Sequence, residues 1–593
     1  IKKTWPDGAF ETRRWSRDGR LIGVTDANGS VMSQEFDVLG RLAERDIARA
    51  AGVEGTTRQR FEHDGLSRVT LAFDDNSPAA SSDDSVVLFR HDSDGNLLED
   101  SQDGFSVLAD HDLGSRVISR RYPDGRVVET PRDRAGRVKL LSDALGPHAA
   151  YKHFGSGALL ERKLASGITL SFLRDDGGVL RNRAYDAHGE VLEQIYRDAS
   201  GDVVHGFEYG RDRNGYKLYE KPLHRAVGLG EVWRHDSINR IQKFLPNVFD
   251  PRFPPIDPVE KLVFYPDGNH SWRFIEVNFS VRRLSVNPRG AYTSSDEDVL
   301  TYDARGNLRS AGQLSFTYDA LCRLVKVSKG ARVVATYRHD AAGAEDPTEP
   351  AGKGRRIAKD VELPVRDQPA GAIRFTFIGG RIAEERSPEG DVLRQYYYAD
   401  GSCPEALLVH GAAASPVPHG ILHDAAGSIT AVVDPAGAVE ETLHYGLHGE
   451  TQVYNSFIAP IGFSGLGNAI GFGGLYHDFE LGFHVVGARH FYPAFGRFIA
   501  DTSPLLPDAI VVEAIQTHFK YLLERLRKEI RSHVRQGQVK LVLERSAPAN
   551  PAVLAATIFR STVGDSLTFL VWMRSTASRP LTSGLSTRTC RSN

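Results

Sequence analysis

Three side chains within one short segment, His444, His448 and Glu450, are of types that could bind a metal ion. On a β-strand, residues an even number of positions apart lie on one face, so all three would point the same way. Gly446 and Gly449 lie between them, however, and glycines at this spacing favour a turn, which would separate the side chains. We therefore predict a turn here and no metal site.

The C-terminal segment, residues 505–593, is the other place where catalytic chemistry could be found. Its two histidines, His518 and His533, lie among polar residues. It has no His-x-Glu or His-Glu-x-x-His sequence, no cysteine pair and no nucleophile elbow. The 3 cysteines of the whole chain are too few for a disulfide framework, and their spacing suits no zinc site. The sequence therefore implies no metal and no cofactor.

A repeated phrase, rather than a catalytic motif, dominates the sequence. It consists of an aromatic residue or His, then Asp, two variable residues, Gly, a polar residue and an aliphatic residue. A second phrase is an aromatic residue followed by Pro-Asp-Gly. Copies of the first phrase are Phe36–Leu42, His91–Leu97, Tyr185–Val191, Tyr302–Leu308 and His423–Ile429, with looser copies at Asp133–Val138, His235–Ile241 and Tyr318–Leu324; the second phrase occurs at Trp5–Gly8, Tyr122–Gly125 and Tyr265–Gly268.

Both phrases predict hairpin turns. Asp at the start of a turn accepts hydrogen bonds from backbone N–H groups further on. Gly three residues later adopts a positive φ without steric cost, which gives a type I turn followed by a glycine bulge. The segments between turns alternate apolar and polar residues, as in Ile168–Phe172, and alternation of this kind is typical of half-buried strands. We predict a long antiparallel hairpin array that is interrupted by a loop or extended insert at 245–258, by an exposed loop at 343–356 and by a similar stretch at 411–420.

With these copies, roughly residues 1–504 resemble the Rhs/YD-repeat family. A more specific resemblance, to the Rhs-associated core motif, is carried by Gly471–Asp478, Leu481–Phe483, Gly487–Phe491 and Gly496–Ile499. The resemblance implies an all-β fold, in which the YD-repeat hairpins form a hollow cocoon, complete or partial. It also implies that the core motif closes the shell in front of a variable C-terminal segment, which in that family is often a toxin.

Three regions are therefore expected. Residues 1–470 form the repeat shell, residues 471–504 form the core motif that acts as a plug, and residues 505–593 form a variable basic segment. That last segment carries 13 Lys+Arg and 6 Asp+Glu, a net charge of +7, whereas the whole chain has −3. Such a charge asymmetry marks a separate module.

The C-terminal segment is expected to be a small α+β unit. Apolar residues from Val511 to Ile530 recur every three or four positions, which predicts an amphipathic helix starting near Pro507 and Asp508. Val539–Leu543 reads as a strand, Leu567–Met573 reads as a second strand or a buried segment, and residues 575–593 are expected to be disordered. No run of 18 apolar residues occurs in the chain, so no membrane-spanning helix is expected.

The family resemblance also supplies candidate catalytic residues for auto-cleavage, Asp501 and Arg489. Self-cleaving members carry Asp-Pro-x-Gly shortly after the Gly-Arg-Phe phrase and a second Asp further on, and the Asp pair cuts the chain with help from the Arg. Here Asp501 is followed by Thr502-Ser503-Pro504, so the motif is incomplete and only one acid is present. Asp434–Gly437 spells Asp-Pro-x-Gly but lies upstream of the core motif, where a hairpin turn is expected.

The resemblance and the charge pattern lead to three functional hypotheses. The first is a non-enzymatic shell that encapsulates its own C-terminal segment as cargo and delivers it in a polymorphic toxin system. The second is a cell-surface or wall-associated protein that binds carbohydrate or protein with its β array. The third is an effector enzyme in the C-terminal segment, nuclease-like because basic charge attracts phosphate. Secretion-apparatus or toxin-complex subunits and an immunity protein are the implied partners, and the implied location is secreted or at the cell surface.

Overall fold

The computed structural model describes residues 2–76, 83–153, 159–171, 190–224, 229–237, 239–254, 262–266, 272–277, 280–295, 298–342, 354–363, 370–411, 415–500, 539–544, 553–560 and 566–572. The chain divides into two units, Ile1–Leu505 and Leu506–Asn593. Within the described residues the secondary structure is β throughout, apart from two short 3-10 turns, Phe472–Gly474 and Pro493–Phe495.

Most of the first unit is one sheet of 40 strands. Its strands are β1 Lys2–Thr4, β2 Phe10–Trp15, β3 Leu21–Thr25, β4 Val31–Phe36, β5 Leu42–Ala48, β6 Arg58–His63, β7 Val69–Asp75, β8 Ser85–His91, β9 Leu97–Gln102, β10 Phe105–His111, β11 Val117–Arg121, β12 Val127–Glu129, β13 Leu140–Asp143, β14 Gly146–His153, β15 Leu159–Leu164, β16 Thr169–Ser171, β17 Glu193–Arg197, β18 Val203–Arg211, β19 Lys217–Pro222, β20 Gly230–His235, β21 Ile241–Val248, β22 Leu262–Pro266, β23 Trp272–Val277, β24 Ser280–Val286, β25 Tyr292–Ser295, β26 Asp298–Tyr302, β27 Leu308–Ala311, β28 Leu314–Tyr318, β29 Leu324–Lys329, β30 Arg332–His339, β31 Arg356–Val361, β32 Gly371–Ile378, β33 Arg381–Arg386, β34 Val392–Tyr397, β35 Ala406–Val409, β36 Val417–His423, β37 Ile429–Val433, β38 Val439–Tyr445, β39 Thr451–Asn455 and β40 Pro460–Ile461.

Each of these strands pairs antiparallel with the next strand along the chain, from β1–β2 to β39–β40. The sheet is therefore a continuous meander, here called the strip. This topology confirms the predicted all-β hairpin array.

Two smaller sheets follow the strip. The core sheet consists of β41 Tyr476–Asp478, β42 Phe483–Val486, β43 Arg489–Tyr492 and β44 Arg497–Phe498. The second unit contains a three-stranded antiparallel sheet, β45 Val539–Glu544, β46 Val553–Arg560 and β47 Ser566–Trp572, which confirms the first strand expected there and, of the two alternatives for Leu567–Met573, the strand. The helix expected from about 508 to 535 lies outside the described residues.

The repeated phrase forms the turns of the strip, and its chemistry is local. In the turn 37–41, the Asp37 Oδ1 atom accepts hydrogen bonds from the backbone N–H of Leu39 (3.0 Å) and of Arg41 (2.9 Å). Gly40 has a φ of +83°, which an L-residue rarely adopts. The Arg41 side chain folds back, and its Nε donates to Asp37 Oδ2 at 2.6 Å. The turns 64–68, 133–137 and 319–323 repeat this arrangement.

Three of these four arginines also join neighbouring turns along the strip. The Nη1 atom of Arg41 donates to the carbonyl oxygen of Asp64 at 2.7 Å, and Arg68 donates to that of Asp92 at the same distance. Arg323 does so to the Asp340 carbonyl at 2.8 Å. At these three places the arginine that closes one turn thus also binds the next turn.

Residues 2–248 and 280–461, the two halves of the strip, pack against each other through a seam of buried ion pairs. The partners are 243 to 294 positions apart in sequence. A buried charge without its partner at such a site would lower the free energy of unfolding by several kcal/mol, so each residue of an ion pair requires the other. The seam includes the pairs Glu11–Arg305 at 2.9 Å, Asp74–Arg323 at 3.2 Å, Asp100–Arg355 at 2.7 Å and Arg162–Glu405.

Apolar clusters complete the packing of the first unit. One cluster joins the two halves face to face, with Leu141 and Tyr196 on one side and Leu408 and Leu422 on the other. A smaller cluster buries the tip of a second-half turn, Ala320 and Leu321, against strands β3, β4 and β5 of the first half. The core sheet packs mainly on the second half of the strip, on the face opposite to the one that contacts the first half, and it also meets Trp233 and Phe244 of the first half.

Two of the expected loops begin or end at other residues than predicted. Leu245–Val248 belongs to β21. Pro246 is tolerated in this strand because the register shifts next to it, between the residue pair Val232 and Leu245 and the residue pair Gly230 and Val248. At such a bulge one residue makes no hydrogen bond to the partner strand, so a proline, which has no N–H group, is tolerated there. Val417–Gly420 likewise belongs to β36, so the predictions of a loop were wrong there. Most of the loop at 343–356 lies outside the described residues.

Candidate functional site

Arg489, one of the two auto-cleavage candidates, begins β43 of the core sheet. It is half-buried, and its guanidinium carbon lies 4.0 Å from the centre of the Phe498 ring on β44. Asp501, the other candidate, lies outside the described residues. The pairing of these two residues in a self-cleaving site therefore stays a prediction.

The core sheet packs against the strip through apolar contacts. Leu481, Phe483 and Ile499 are each less than 10% exposed and share one cluster with strip residues that include Trp233 and Phe316. The rings of Phe316 and Phe483 stack with their centres 6.0 Å apart. Because residues from β20 to β31 contribute to this single cluster, the strip curls around the core sheet on this side.

A group of charged side chains is buried where the core sheet meets β31, and it is here called the charge cluster: Tyr337, Arg356, Lys359, Asp478, Glu480 and His490. All six are 4% exposed or less. Arg356 Nη1 donates to Asp478 Oδ2, and Lys359 Nζ lies 3.4 Å from Asp478 Oδ1 and 3.1 Å from Glu480 Oε2. His490 Nε2 is 3.4 Å from Asp478 Oδ2.

Aromatic rings surround the charge cluster. The Arg356 guanidinium lies over the rings of Tyr337, Phe375 and Tyr476, at 5.0 to 5.4 Å from their centres. Tyr337 also donates its hydroxyl hydrogen to Glu480 Oε1 at 3.2 Å. Water is therefore replaced by rings and by fixed hydrogen-bond donors, and electrostatic interactions are strong in such surroundings.

The two carboxyl groups of the charge cluster titrate in opposite directions. Burial alone would raise the pKa of Asp478, but the charges of Arg356 and Lys359 outweigh it and hold that pKa well below its usual range. Burial raises the pKa of Glu480, and the charge of Lys359 opposes this only in part. Pairs of acids whose environments separate their pKa values are typical of sites that move protons.

A cavity of about 340 Å³ lies at the end of the described core segment and is lined by Ala500 and by Trp5, Tyr292 and Tyr302 among others. Two arginines also line it. Arg289 binds Asp7 at 2.7 Å and Arg497 donates to the carbonyl oxygen of Gly290 at 2.6 Å. The cavity thus combines aromatic rings with two guanidinium groups that are each bound by another part of the protein.

Both segments that resemble catalytic or metal motifs are turns, as predicted. Asp434–Gly437 connects β37 and β38; the Gly437 N–H donates to the Asp434 carbonyl at 3.0 Å, and Gly437 has a φ of +93°. In the segment 444–450, Gly446 and Gly449 close a turn through a 3.0 Å backbone hydrogen bond, and Gly449 has a φ of +91°.

Metal-binding clusters and membrane-spanning helices are both absent from the described part of the chain. No group of three or more His, Cys, Asp and Glu side chains in it is placed to hold a metal ion. No helix among the described residues is long and apolar enough to cross a membrane.

Sequence reasoning missed the charge cluster. Its acids, Asp478 and Glu480, lie in a stretch that was noted only for its family resemblance, and their partners Arg356 and Lys359 are more than 115 positions upstream. The one signal in the sequence was the alternation of His477, Asp478, Phe479 and Glu480 within an otherwise apolar segment.

Comparison with known proteins gives one curated relative and a group of solved structures. No model of a known protein family matches the sequence. The chain is 24% identical over 563 residues to double-stranded DNA deaminase toxin A of Burkholderia cenocepacia strain H111, which covers 84% of this chain and 36% of the relative. The chain thus spans about a third of the length of that protein.

The solved structures show the fold. A crystal structure of TcdB2-TccC3 matches with a TM-score of 0.60 and 13% identity, over 84% of this chain and 27% of that chain. The Photorhabdus luminescens Tc holotoxin pore with the TccC3 mutation D651A matches with a TM-score of 0.61 and 14% identity, over 84% and 26%. The strip and core sheet therefore have the fold of these Tc toxin components, of which the chain spans about a quarter.

Proposed function

We propose that this chain is an Rhs-type β-strip scaffold of a toxin system, in which the core sheet plugs the strip and residues 505–593 are the cargo. The observation that carries this proposal is the arrangement of the first unit, in which strands β20 to β31 of a 40-stranded meander pack around a separate, buried core sheet. The likeness to Tc toxin components and to a deaminase toxin supports it.

The division of the chain also supports a container with a cargo. The second unit, Leu506–Asn593, follows directly after the core segment. Its +7 charge contrasts with the net −3 of the whole chain, and this opposite charge would favour holding the segment against an acidic strip. We also propose that the shell ends at residue 470 and that the plug begins at the next residue.

Three further parts of the proposal concern the surroundings of the protein. Delivery requires that the chain act outside the cell that makes it, secreted or at the cell surface. Toxin-complex or secretion-apparatus subunits would carry it, and an immunity protein would protect the producer. Carbohydrate binding by the strip remains the alternative from another functional class.

The similarity to a DNA deaminase toxin favours a nucleic-acid target for the cargo, but not deamination. Zinc deaminases hold their metal with one His and two Cys, or three Cys, and use a Glu two positions after the His. Residues 505–593 contain a single cysteine, Cys590, and no His-x-Glu sequence. We therefore propose that any activity of this segment on nucleic acid depends on its basic charge and on another chemistry.

Growth of a bacterium that expresses parts of the chain tests the proposal. We expect residues 505–593 to arrest growth when induced alone, residues 1–504 to be harmless, and the whole chain to be less toxic than the free segment. Unimpaired growth with soluble 505–593 present would contradict a toxic cargo in that host. Arrest by residues 1–504 would contradict the assignment of the strip as scaffold.

A further inference from the structure

Lys359 occupies an unusual position for a lysine. It lies on β31, is 1% exposed, and its Nζ atom is 5.2 Å from the centre of the Tyr476 ring. Within 3.4 Å of Nζ are two carboxyl groups, those of Asp478 and Glu480. Lysine is almost never fully buried unless it is paired, and here it meets two acids on one short segment of the core sheet.

These contacts meet the requirements for an amide bond between side chains. An amine must touch a carboxyl carbon, an acid–base group must take a proton from the amine and return it to the leaving oxygen, and water must be excluded. Lys359 Nζ lies 3.4 Å from Oδ1 of Asp478, whose Cγ would be the carboxyl carbon, and 3.1 Å from Oε2 of Glu480. Glu480 suits the proton-carrying role because burial raises its pKa.

Arg356 supplies the fourth requirement, which is stabilisation of negative charge on the attacked carboxyl group. Its Nη1 atom binds Asp478 Oδ2, while Lys359 faces Oδ1. In the tetrahedral intermediate the charge would develop on Oδ2, against a guanidinium that is already in place. Donors positioned in advance in this way are the usual source of stabilisation for such intermediates.

We propose that Lys359 and Asp478 join through an isopeptide bond that fastens the core sheet covalently to the strip. Glu480 first accepts a proton from the Lys359 ammonium. Glu480 passes this proton to Oδ1 of Asp478, and the free amine attacks Cγ so that the new C–N bond forms. Glu480 then takes a second proton from the bonded nitrogen and gives it to Oδ1, and the C–O bond breaks as that oxygen leaves as water. The ammonium and carboxylate thus become an amide and one water molecule, and no oxidant or other reactant is consumed.

Such a bond would have a direct structural consequence. It would link residues 119 positions apart, and a covalent link across a long loop lowers the entropy of the unfolded chain. The core sheet could then leave the strip only by breaking a covalent bond. This inference does not depend on the activity of residues 505–593.

The intact mass of the purified chain tests the proposal. We expect it to be lower than the sequence mass by one water molecule, and proteolytic digestion to yield a branched peptide joining the segments around Lys359 and Asp478. The full sequence mass would overturn the proposal. So would a water loss reversed by mild alkali, because that behaviour marks a succinimide at an Asp-Gly site.

Variants assign the roles. Lys359→Arg should have the full mass of its own sequence, with no loss of water. In Glu480→Gln most molecules should lack the isopeptide bond, since Gln cannot carry the proton. The matched control is Lys217→Arg, because Lys217 pairs with Glu220 at 2.8 Å outside the charge cluster; it should leave the water loss unchanged. A branched peptide that persists in Lys359→Arg would overturn the assignment, whether or not the Glu480 variant folds.

Discussion

Two leucines occupy the same position of the same turn in opposite halves of the strip and provide a matched test of the seam. Leu39 follows Asp37 and Leu321 follows Asp319 by two residues, and each leucine N–H donates to the Oδ1 atom of its Asp, at 3.0 and 2.9 Å. Leu39 is 65% exposed, whereas Leu321 is 3% exposed. Local structure is thus equal, and only burial by the other half of the strip differs.

The expected cost of removing each side chain follows from that difference. Leu321 packs with residues that include Met32 and Ile47, so Leu321→Ala loses buried apolar contacts and leaves a cavity. Such changes cost about 2–5 kcal/mol of the free energy of unfolding. Leu39→Ala removes an exposed side chain, for which changes stay within about 0.5 kcal/mol.

Urea unfolding followed by tryptophan fluorescence measures both variants on one transition. We expect the urea midpoint of Leu321→Ala to fall clearly and that of Leu39→Ala to match the parent chain, with equal slopes. Equal losses in the two variants would refute the claim that the halves of the strip bury each other's turns. So would an unchanged midpoint for Leu321→Ala.

Three further predictions concern charge. Asp74→Ala leaves Arg323 buried beside the remaining acid of its own turn, and should lower the free energy of unfolding by about 3–5 kcal/mol in the same urea assay; a loss below about 1 kcal/mol would contradict the seam. The Arg68 backbone N–H and side chain lower the pKa of Asp64 to about 2, although burial acts in the opposite direction. The ionised Asp64 therefore stabilises the folded chain fully at a pH above its unfolded pKa of about 3.9. This contribution is lost as the pH falls through about 2. Asp64→Asn should therefore be less stable than the parent at neutral pH and equal to it below that range, and a difference that persists in acid would count against the assignment. The chain should run as one uncut band on a gel, because Asp501 lacks a second acid; a band of 505–593 that disappears in Asp501→Ala or Arg489→Ala would show auto-cleavage instead.

The turns of the strip could be predicted from sequence because their chemistry is local. Asp37, Gly40 and Arg41 lie within five positions, and the hydrogen bonds among residues 37–41 need no other part of the chain. The rule that proline ends a strand gave a wrong prediction at Pro246, because a register shift in the pairing of β20 with β21 accommodates this proline. That register shift depends on both strands, so it could not be predicted from the residues around the proline alone.

The seam and the charge cluster could not be predicted in the same way. Asp74 and Arg323 are 249 positions apart, and no periodicity in the sequence connects them. The same limit applies to Lys359 and Asp478, which meet only because the strip curls around the core sheet. Asp501, which was taken from the family resemblance, lies outside the described residues, so its role stays a prediction.

Protection of residues 505–593 from trypsin tests the central claim most directly. This segment contains 13 Lys+Arg, so trypsin should cut it at once if it is outside the strip. With the whole chain, we predict that mass spectrometry detects its peptides only slowly, and that Phe483→Ala, which removes a core-sheet ring 1% exposed, speeds their release. Immediate loss of 505–593 from a chain whose residues 1–504 stay intact would contradict encapsulation.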